Sequence, residues 1–277
     1  MNRLRAVGVI PARYGSSRFP GKVLAPIAGR PMIQHVVERA RRAARLDLVL
    51  VATDDVRVRD AVEAIGGRAV MTSPDHPSGT DRVAEVARGL ACDVLVNIQG
   101  DEPTLDPSSI DRAVAPLLDD PALALATLCA PLCDAAEARD PNTVKVVRDL
   151  RGFALYFSRA PIPYHREPEA ARTGGAGPAP PGAAPAGARW WKHIGLYAYR
   201  REVVLRLAGL PPTALERAER LEQLRALEHG IPILVVETDR DAIGVDVPGD
   251  VARVEAMLGA DRTGAAIGAG PGAADAA

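Results

Sequence analysis

Residues 10–22 read IPARYGSSRFPGK and follow directly on an apolar run at 6–10 that has the composition of a buried strand. Gly15 and Gly21, with the small Ser16 and Ser17, let the backbone turn tightly and bring its N–H groups close to a ligand. Arg13, Arg18 and Lys22 add three cations within ten positions. Phosphate is the guest that such a loop suits. The ending GKV lacks the spacing of a Walker loop, and the GxGxxG of a dinucleotide site is absent here. Taken alone, the loop also admits a plainer reading as a solvated turn with ordinary surface cations.

Outward from this loop, further apolar runs recur at 48–53, 94–99 and 123–128, separated by segments of helical periodicity. Met32, Ile33, Val36, Val37 and Ala40 share one face behind Pro31. Val83, Val86 and Leu90 share another behind a cap at Thr80 or Asp81. Strands that are apolar throughout, alternating with amphipathic helices, predict an α/β fold with a mainly parallel sheet flanked by helices. Ligands of such sheets bind beyond the carboxyl ends of the strands, which selects the loops at 11–22, 53–55, 72–80 and 100–103.

The pattern then changes. Segments 143–148, 154–159 and 190–200 are strands richer in aromatics without full helices between all of them, which predicts an antiparallel arm at about 150–200. Inside it, 172–188 is almost wholly Gly, Pro and Ala and is expected to be a mobile loop. The same composition makes 259–277 a disordered tail, leaving 1–258 as one domain.

With 34 Lys and Arg against 35 Asp and Glu, the chain lacks the basic excess by which nucleic-acid binders neutralise many phosphates, so an anionic partner must be met locally. The first apolar run stops at Pro11, too short for a secretory signal or a membrane span, and a cytoplasmic location is expected. Cys92, Cys129 and Cys133 complete no zinc pattern and read as small core or surface residues.

PAR-x-G-S-x-R-x-P-G-K does not stand alone. VATDD at 51–55, SGTDR at 78–82, NIQGDEP at 97–103, PNTVKVV at 141–147, ALYFSRAPIP at 154–163, KHIGLYAYR at 192–200, LEQLR at 221–225 and GVDVPGDV at 244–251 follow it. Together these blocks resemble the nucleotide-sugar cytidylyltransferases, most closely the family acting on 3-deoxy-manno-octulosonate (Kdo), and they keep that family's order from residue 7 to about 257. The resemblance implies a Rossmann-like, nucleotide-diphospho-sugar transferase-like fold whose arm serves dimerisation. It also implies CTP and Kdo as substrates, Mg2+ as cofactor and a homodimer with no nucleic-acid or membrane partner.

Site residues follow partly from position and partly from the resemblance. Asp101 comes directly after the strand VLVNIQG, so its carboxylate emerges at the ligand edge, and Asp246 follows a second apolar run. The resemblance implies that the two converge to hold Mg2+ and act in catalysis with Lys22. Equally, Asp101 suits a turn before Pro103, and Asp246 suits the cap of a helix near 248–257. By the same resemblance Arg13, Gly15, Ser16 and Lys22 bind the triphosphate, while Ala52, Ser73 and Gln99 contact the nucleotide from strand ends and the loops after them. His76 in the 72–80 loop tempts as an acid or base but reads equally as exposed.

A sugar acid needs a further cation, and arginine offers a carboxylate a planar fork, which makes Arg18, Arg82 and Arg159 candidates. Arg82 suits a solvated place on its helix just as well. Alternation along WWKHIGLYAYR puts His193, Gly195, Tyr197 and Tyr199 on one side, and the resemblance carries His193 and Tyr197 over as sugar contacts. On a helix expected over 214–229, Leu215, Ala218, Leu221 and Leu224 form the core stripe beside Glu222 and Gln223, which the family sets near sugar hydroxyls. Two features depart from the family pattern: Gly249 stands where an acidic residue is usual, and the 172–188 segment is atypical. Rival readings are an enzyme for another sugar acid or a sugar phosphate, and a nucleotide-binding regulator without catalysis, against which the carboxylate pair argues.

Overall fold

The computed structural model of the chain describes residues 6–16, 19–166, 190–241 and 243–267. In order, the elements are β1 (Ala6–Pro11), β2 (Pro26–Ile27), β3 (Arg30–Pro31), α1 (Met32–Ala40), β4 (Leu48–Thr53), α2 (Val56–Ala64), β5 (Ala69–Met71), α3 (Gly79–Arg88), β6 (Val94–Asn97) and α4 (Pro107–Asp119). The second half holds β7 (Leu125–Leu132), α5 (Ala135–Arg139), β8 (Lys145–Arg148), β9 (Ala154–Ser158), β10 (Trp190–Arg200), α6 (Arg201–Ala208), α7 (Ala214–Glu219), α8 (Gln223–Glu228), β11 (Ile233–Glu237) and α9 (Asp250–Ile267).

The apolar runs form strands covered on both faces. β1 pairs in parallel with β4 and β6, and β4 with β5. One face packs Ile33, Val36 and Val37 of α1, Val58 and Val62 of α2, and Ile110, Val114 and Leu117 of α4 against Ile10, Val51 and Val96. On the other, Val83 and Val86 of α3, Val204 of α6 and Leu224 of α8 meet Val7, Val9, Leu50 and Leu95. Each such side chain contributes about 1.5–3 kcal/mol on full burial, which is what holds the three layers together against the entropy of the ordered chain.

β10 is the structural surprise. The sequence pattern groups it with an arm, yet its second half runs antiparallel between β6 and β7, giving the order β11-β7-β10-β6-β1-β4-β5. Leu196 and Ala198 are wholly buried there. Only its first half reaches outward, pairing at Lys192 with Lys145 of β8, which in turn pairs with β9. Partner choice for a strand depends on long-range contacts that alternation within the strand does not encode.

Three further expectations are corrected. The cap of α3 is Ser78, whose hydroxyl accepts from the Asp81 N–H, so Thr80 and Asp81 lie inside the first turn. The single helix expected over 214–229 is two, α7 and α8, broken at Arg220 with φ 53°. The Glu219 carbonyl, which a continuous helix would use, accepts instead from Arg159 Nε at 2.7 Å. As a result Leu215 is 40% exposed and α7 buries nothing, while Leu221, Leu224 and Ala226 carry the packing. Finally, α9 continues to Ile267, beyond the point at 259 where the sequence reading begins a tail. Ser17, Arg18, the 172–188 segment and residues 268–277 lie outside the described residues.

No helix of the described residues is long and apolar enough to cross a membrane. Cys92 and Cys129 are buried and Cys133 is exposed, and burial pushes the Cys129 thiol up to about 12.

Candidate active site

The carboxyl ends of β1 and β6 open onto a cleft of about 310 Å³ walled by Arg13, Ser16, Lys22, Arg82, Asp101 and Asp246. Its floor depends on Gly100, where a Cβ would stand 2.6 Å from the Pro11 carbonyl oxygen, so only glycine lets the loop after β6 lie against the end of β1. Gly21 takes φ 71° and gives its N–H to Tyr14 O at 3.0 Å, closing the loop under the Tyr14 ring. Over that ring, at 3.5 Å, lies the Arg57 guanidinium. Asp55 holds it there through an ion pair of 2.6 Å and also caps α2. Tyr14, Arg57 and Gly100 are thus site-building residues that sequence reading missed. For Gly100, the signal was a glycine directly after a buried strand.

Lys22 joins the two aspartates. Its ammonium donates to Asp101 Oδ2 at 2.5 Å and to the Val245 carbonyl at 3.1 Å, and lies 3.5 Å from Asp246 Oδ1. The segment carrying Asp246 is drawn in by the Val245 N–H, which donates to Asp101 O at 2.9 Å. Asp250 accepts from the Asp246 and Val247 N–H groups at 2.9 and 3.0 Å, and these bonds hold its carboxyl below the usual range. The acidic start of α9 that Gly249 fails to supply therefore comes from Asp250. Asp101 does not cap the helix that follows it, α4, whose cap is Asp106. Behind Asp101 and Asp246, burial first and then the charge of Asp101 push the Glu102 carboxyl up to about 8, and its Oε2 has no hydrogen-bond partner among the described residues.

No group of three or more His, Cys, Asp or Glu side chains that could hold a metal gathers among the described residues, so an all-protein cage is not what this cleft provides. Two carboxylates facing one cation across an open cleft fit Mg2+, which keeps several waters and takes substrate phosphates as its remaining ligands. The Lys22 ammonium shows that the pair accommodates positive charge between its members.

Past Gly79 and Gln99 the cleft continues into a second cavity of about 450 Å³, lined by Arg159, His193, Tyr197, Tyr199, Glu222 and Gln223 among others. The two cavities share those two residues as a common wall. Gln99 Nε2 donates to Gly195 O at 2.9 Å, beside the irregularity in β10 between Ile194 and Tyr197. His193 stands 5.0 Å edge-on from Phe157 and 5.4 Å from Tyr197, and burial pushes its imidazole down to about 3, so it is neutral. The Thr127 hydroxyl lies 3.0 Å from His193 Nε2 and 2.9 Å from Leu196 O. Donating to the carbonyl, it accepts from Nε2–H, which leaves Nδ1 as an acceptor. Burial raises Glu222 as well, against a hydrogen bond from Thr80. Asn97 Oδ1 is buried nearby without a hydrogen-bond partner among the described residues.

Several candidates sit elsewhere than sequence reading put them. Arg82 is 3% exposed rather than solvated, bonded to Thr72 Oγ1 and at 3.1 Å to Asp54 Oδ2, and it walls the first cavity rather than the one containing His193. Arg159 does line the second cavity, with its guanidinium donating to Glu219 O and Pro141 O, both at 2.7 Å. Ala52 is wholly buried in the core, and its carbonyl accepts from Ala12 N at 2.8 Å, so it supports the loop from behind. Ser73 gives its N–H to Glu85 and accepts from Asp75 N, shaping the loop in which His76 pairs with Glu85. Gly15 is exposed, and Arg18 lies outside the described residues.

A sheet that offers cations and paired carboxylates beyond its strand ends, with a polar cavity opening off them, is the architecture of a nucleotidyltransferase. The chain belongs to the cytidylyltransferase family, whose model matches residues 7–236, and within it to the 3-deoxy-manno-octulosonate cytidylyltransferases. It is 56% identical over 250 residues to that enzyme of Syntrophotalea carbinolica, covering 90% of this chain and 97% of the relative. To that of Myxococcus xanthus it is 52% identical over 259 residues, covering 93% and 98%. The solved structure of CMP:2-keto-3-deoxy-manno-octonic acid synthetase complexed with CTP matches with a TM-score of 0.83 at 48% identity, over 93% of this chain and 99% of that one. A 4-diphosphocytidyl-2C-methyl-D-erythritol synthase from Anaerococcus prevotii, 11% identical with a TM-score of 0.59 over 93% of this chain and 100% of that one, shares the fold.

Proposed function

We propose that this chain transfers the cytidylyl group of CTP to the anomeric 2-hydroxyl of Kdo, giving CMP-Kdo and pyrophosphate for lipopolysaccharide synthesis in the cytoplasm. The observation that carries this reading is the pair of cavities sharing Gly79 and Gln99, one cationic with facing carboxylates, the other lined by Arg159, His193, Tyr197 and Glu222. A nucleoside triphosphate suits the first and a polyol acid the second.

In this reading Arg13 and Lys22 hold the triphosphate. The hydroxyl oxygen of the sugar forms its bond to the α-phosphorus in line with the bond to the β-phosphate oxygen, which breaks as pyrophosphate leaves with the electron pair, and the hydroxyl proton passes to solvent. No covalent enzyme intermediate is needed, because positioning and charge stabilisation suffice for such transfers. Asp101 and Asp246 would hold Mg2+, which when bound would supply Lewis-acid polarisation of the α-phosphate. Neutral His193 accepts a hydrogen bond from a sugar hydroxyl at Nδ1, Glu222 and Gln223 bond further hydroxyls, and Tyr197 packs along the chain of carbons. Arg159 binds the sugar carboxylate, a role that the family pattern alone suggests for Arg18 as well.

Pyrophosphate release with CTP, Kdo and Mg2+ is the direct test. Release with sialic acid and none with Kdo would refute the substrate, and Asp101→Asn retaining near wild-type turnover would refute the metal pair, since a loss on the order of a thousandfold is expected. We also propose a two-fold homodimer through the arm, where Leu155 on β9 is 63% exposed and Tyr164 beyond it 86%. Light scattering showing a monomer at micromolar concentration would contradict it.

A further inference from the structure

The segment that delivers Asp246 is gripped from the sugar side of the molecule. After β11 the chain fastens by Thr238 N to Cys129 O at 2.8 Å, by Ile243 N to Thr104 Oγ1 at 2.8 Å, and by Val245 N to Asp101 O at 2.9 Å. Between these neutral fastenings stands one short ionic contact. Lys192 Nζ donates to Asp241 Oδ2 at 2.6 Å while also holding Glu137 Oε1 of α5 at 3.1 Å. The Lys192 side chain is 23% exposed and that of Asp241 45%, whereas the neighbouring pairs of Arg240 with Asp106 and Arg112 with Asp239 span 3.7 and 3.5 Å with more exposed arginines, 60% and 49%.

The surroundings explain why a cation is needed at this point. Asp101 and Asp241 both act on the buried Glu102 carboxyl, and a Cβ on Gly244 would lie 4.0 Å from Glu102 Cγ. Lys192 is close enough to act on Glu102 as well as on Asp241. Without its ammonium, Asp241 would lose the 2.6 Å contact that fastens its segment to β10. The residue next to Lys192 on β10 is His193, which lines the second cavity.

We infer that Lys192 is a positioning residue for the metal carboxylates: its grip on Asp241 sets the segment that presents Asp246 to Asp101, and it ties that segment to the strand bearing His193. The inference rests on the reading of Asp101 and Asp246 as Mg2+ ligands. Side chains that orient metal ligands from outside the coordination sphere typically change metal affinity about 10–100-fold when removed.

The test measures Mn2+, a hard-cation stand-in for Mg2+, by the loss of its free EPR signal on titration into the full-length protein with CTP present. Lys192→Met is expected to weaken Mn2+ binding about tenfold, with Lys192→Arg recovering most of it and CTP affinity without divalent ion unchanged. Asp241→Asn, a neutral isostere at a half-exposed position that leaves no buried charge, is expected to weaken it in the same direction. The double variant should be no worse than Lys192→Met. Glu137→Gln, which removes the other partner of Lys192 but not its grip on the segment, should bind Mn2+ as wild type does. Unchanged Mn2+ affinity in Asp241→Asn or in folded Lys192→Met overturns the inference, as does an equal loss in Glu137→Gln. Failure of the underlying metal reading looks different: wild type and Asp246→Asn would then bind Mn2+ alike.

Discussion

Lys22 and Asp101 stand 79 residues apart in the chain, yet the lysine ammonium donates to the aspartate at 2.5 Å and spans the gap to Asp246 at 3.5 Å. One cation thus sits between two carboxylates where the proposed reaction needs a metal between the same two groups and a lysine on phosphate. A ligand that brings both phosphate and Mg2+ satisfies every partner of this trio, whereas a bare cation must displace Lys22.

Replacing Lys22 therefore has two opposite effects. Lys22→Met should lower kcat/KM for CTP on the order of 10²–10³-fold, about 3–4 kcal/mol of lost charge stabilisation, measured by pyrophosphate release. It should also tighten Mn2+ binding without CTP, because the competing ammonium is gone. A variant that weakens both would mean that Lys22 organises the carboxylates rather than competing for them.

Gly100→Ala places a methyl group 2.6 Å from the Pro11 carbonyl, with backbone and not a flexible side chain as the obstacle. Overpacking of this kind costs about 1–3 kcal/mol, so a Tm loss of roughly 2–10 °C is expected in calorimetry, together with lower activity. Gly89→Ala is the control: its Cβ would lie 3.8 Å from Val86 O at an ordinary backbone angle, and it should be neutral or slightly stabilising.

His193 sets a pH dependence of stability. Burial pushes it down to about 3, while the unfolded chain titrates near ~6.5. Between these values the unfolded state holds a proton that the folded state excludes, so stability falls as pH drops from about 6.5 toward 3, by up to ~1.4 kcal/mol per pH unit from this one group. His193→Asn should flatten that acid limb in Tm measured against pH. Parallel curves for variant and wild type would show that the imidazole protonates freely in the fold.

Arg82 and Asp54 form a pair with side chains only 4% and 17% exposed, and Asp54 Oδ1 lacks a hydrogen-bond partner among the described residues. Arg82→Met leaves the carboxylate stranded and should cost about 3–5 kcal/mol in urea denaturation. Adding Asp54→Asn should recover part of this loss. If the double variant is no more stable than Arg82→Met, the arginine serves chiefly through Thr72 and packing.

The residues show unequally how far a sequence can be read. The runs at 6–10 and 48–53 and the stripe Met32, Ile33, Val36, Val37 and Ala40 were legible because burial imposes a local period on them, and all five of the stripe are buried as that period requires. Lys22, Asp101, Gln99, His193 and Glu222 were legible as candidates because each stands at a strand end or inside a block shared with a known family. Arg82 was misplaced because helical periodicity does not reveal a partner such as Asp54 on another element. The break at Arg220 was missed because it follows from a bond between Glu219 and Arg159, 60 residues apart.

Composition, period and motif order were enough to specify an α/β chain with a phosphate loop and two eligible carboxylates, since these depend on neighbours along the chain. The threading of β10 between β6 and β7, the seating of Lys22 between Asp101 and Asp246, and the division of the cleft at Gly79 and Gln99 came only with the tertiary structure. Each depends on side chains far apart in sequence, which meet only when burial of the two core faces fixes the sheet order. The loop at 10–22 announces that phosphate is welcome, and the fold decides what faces it.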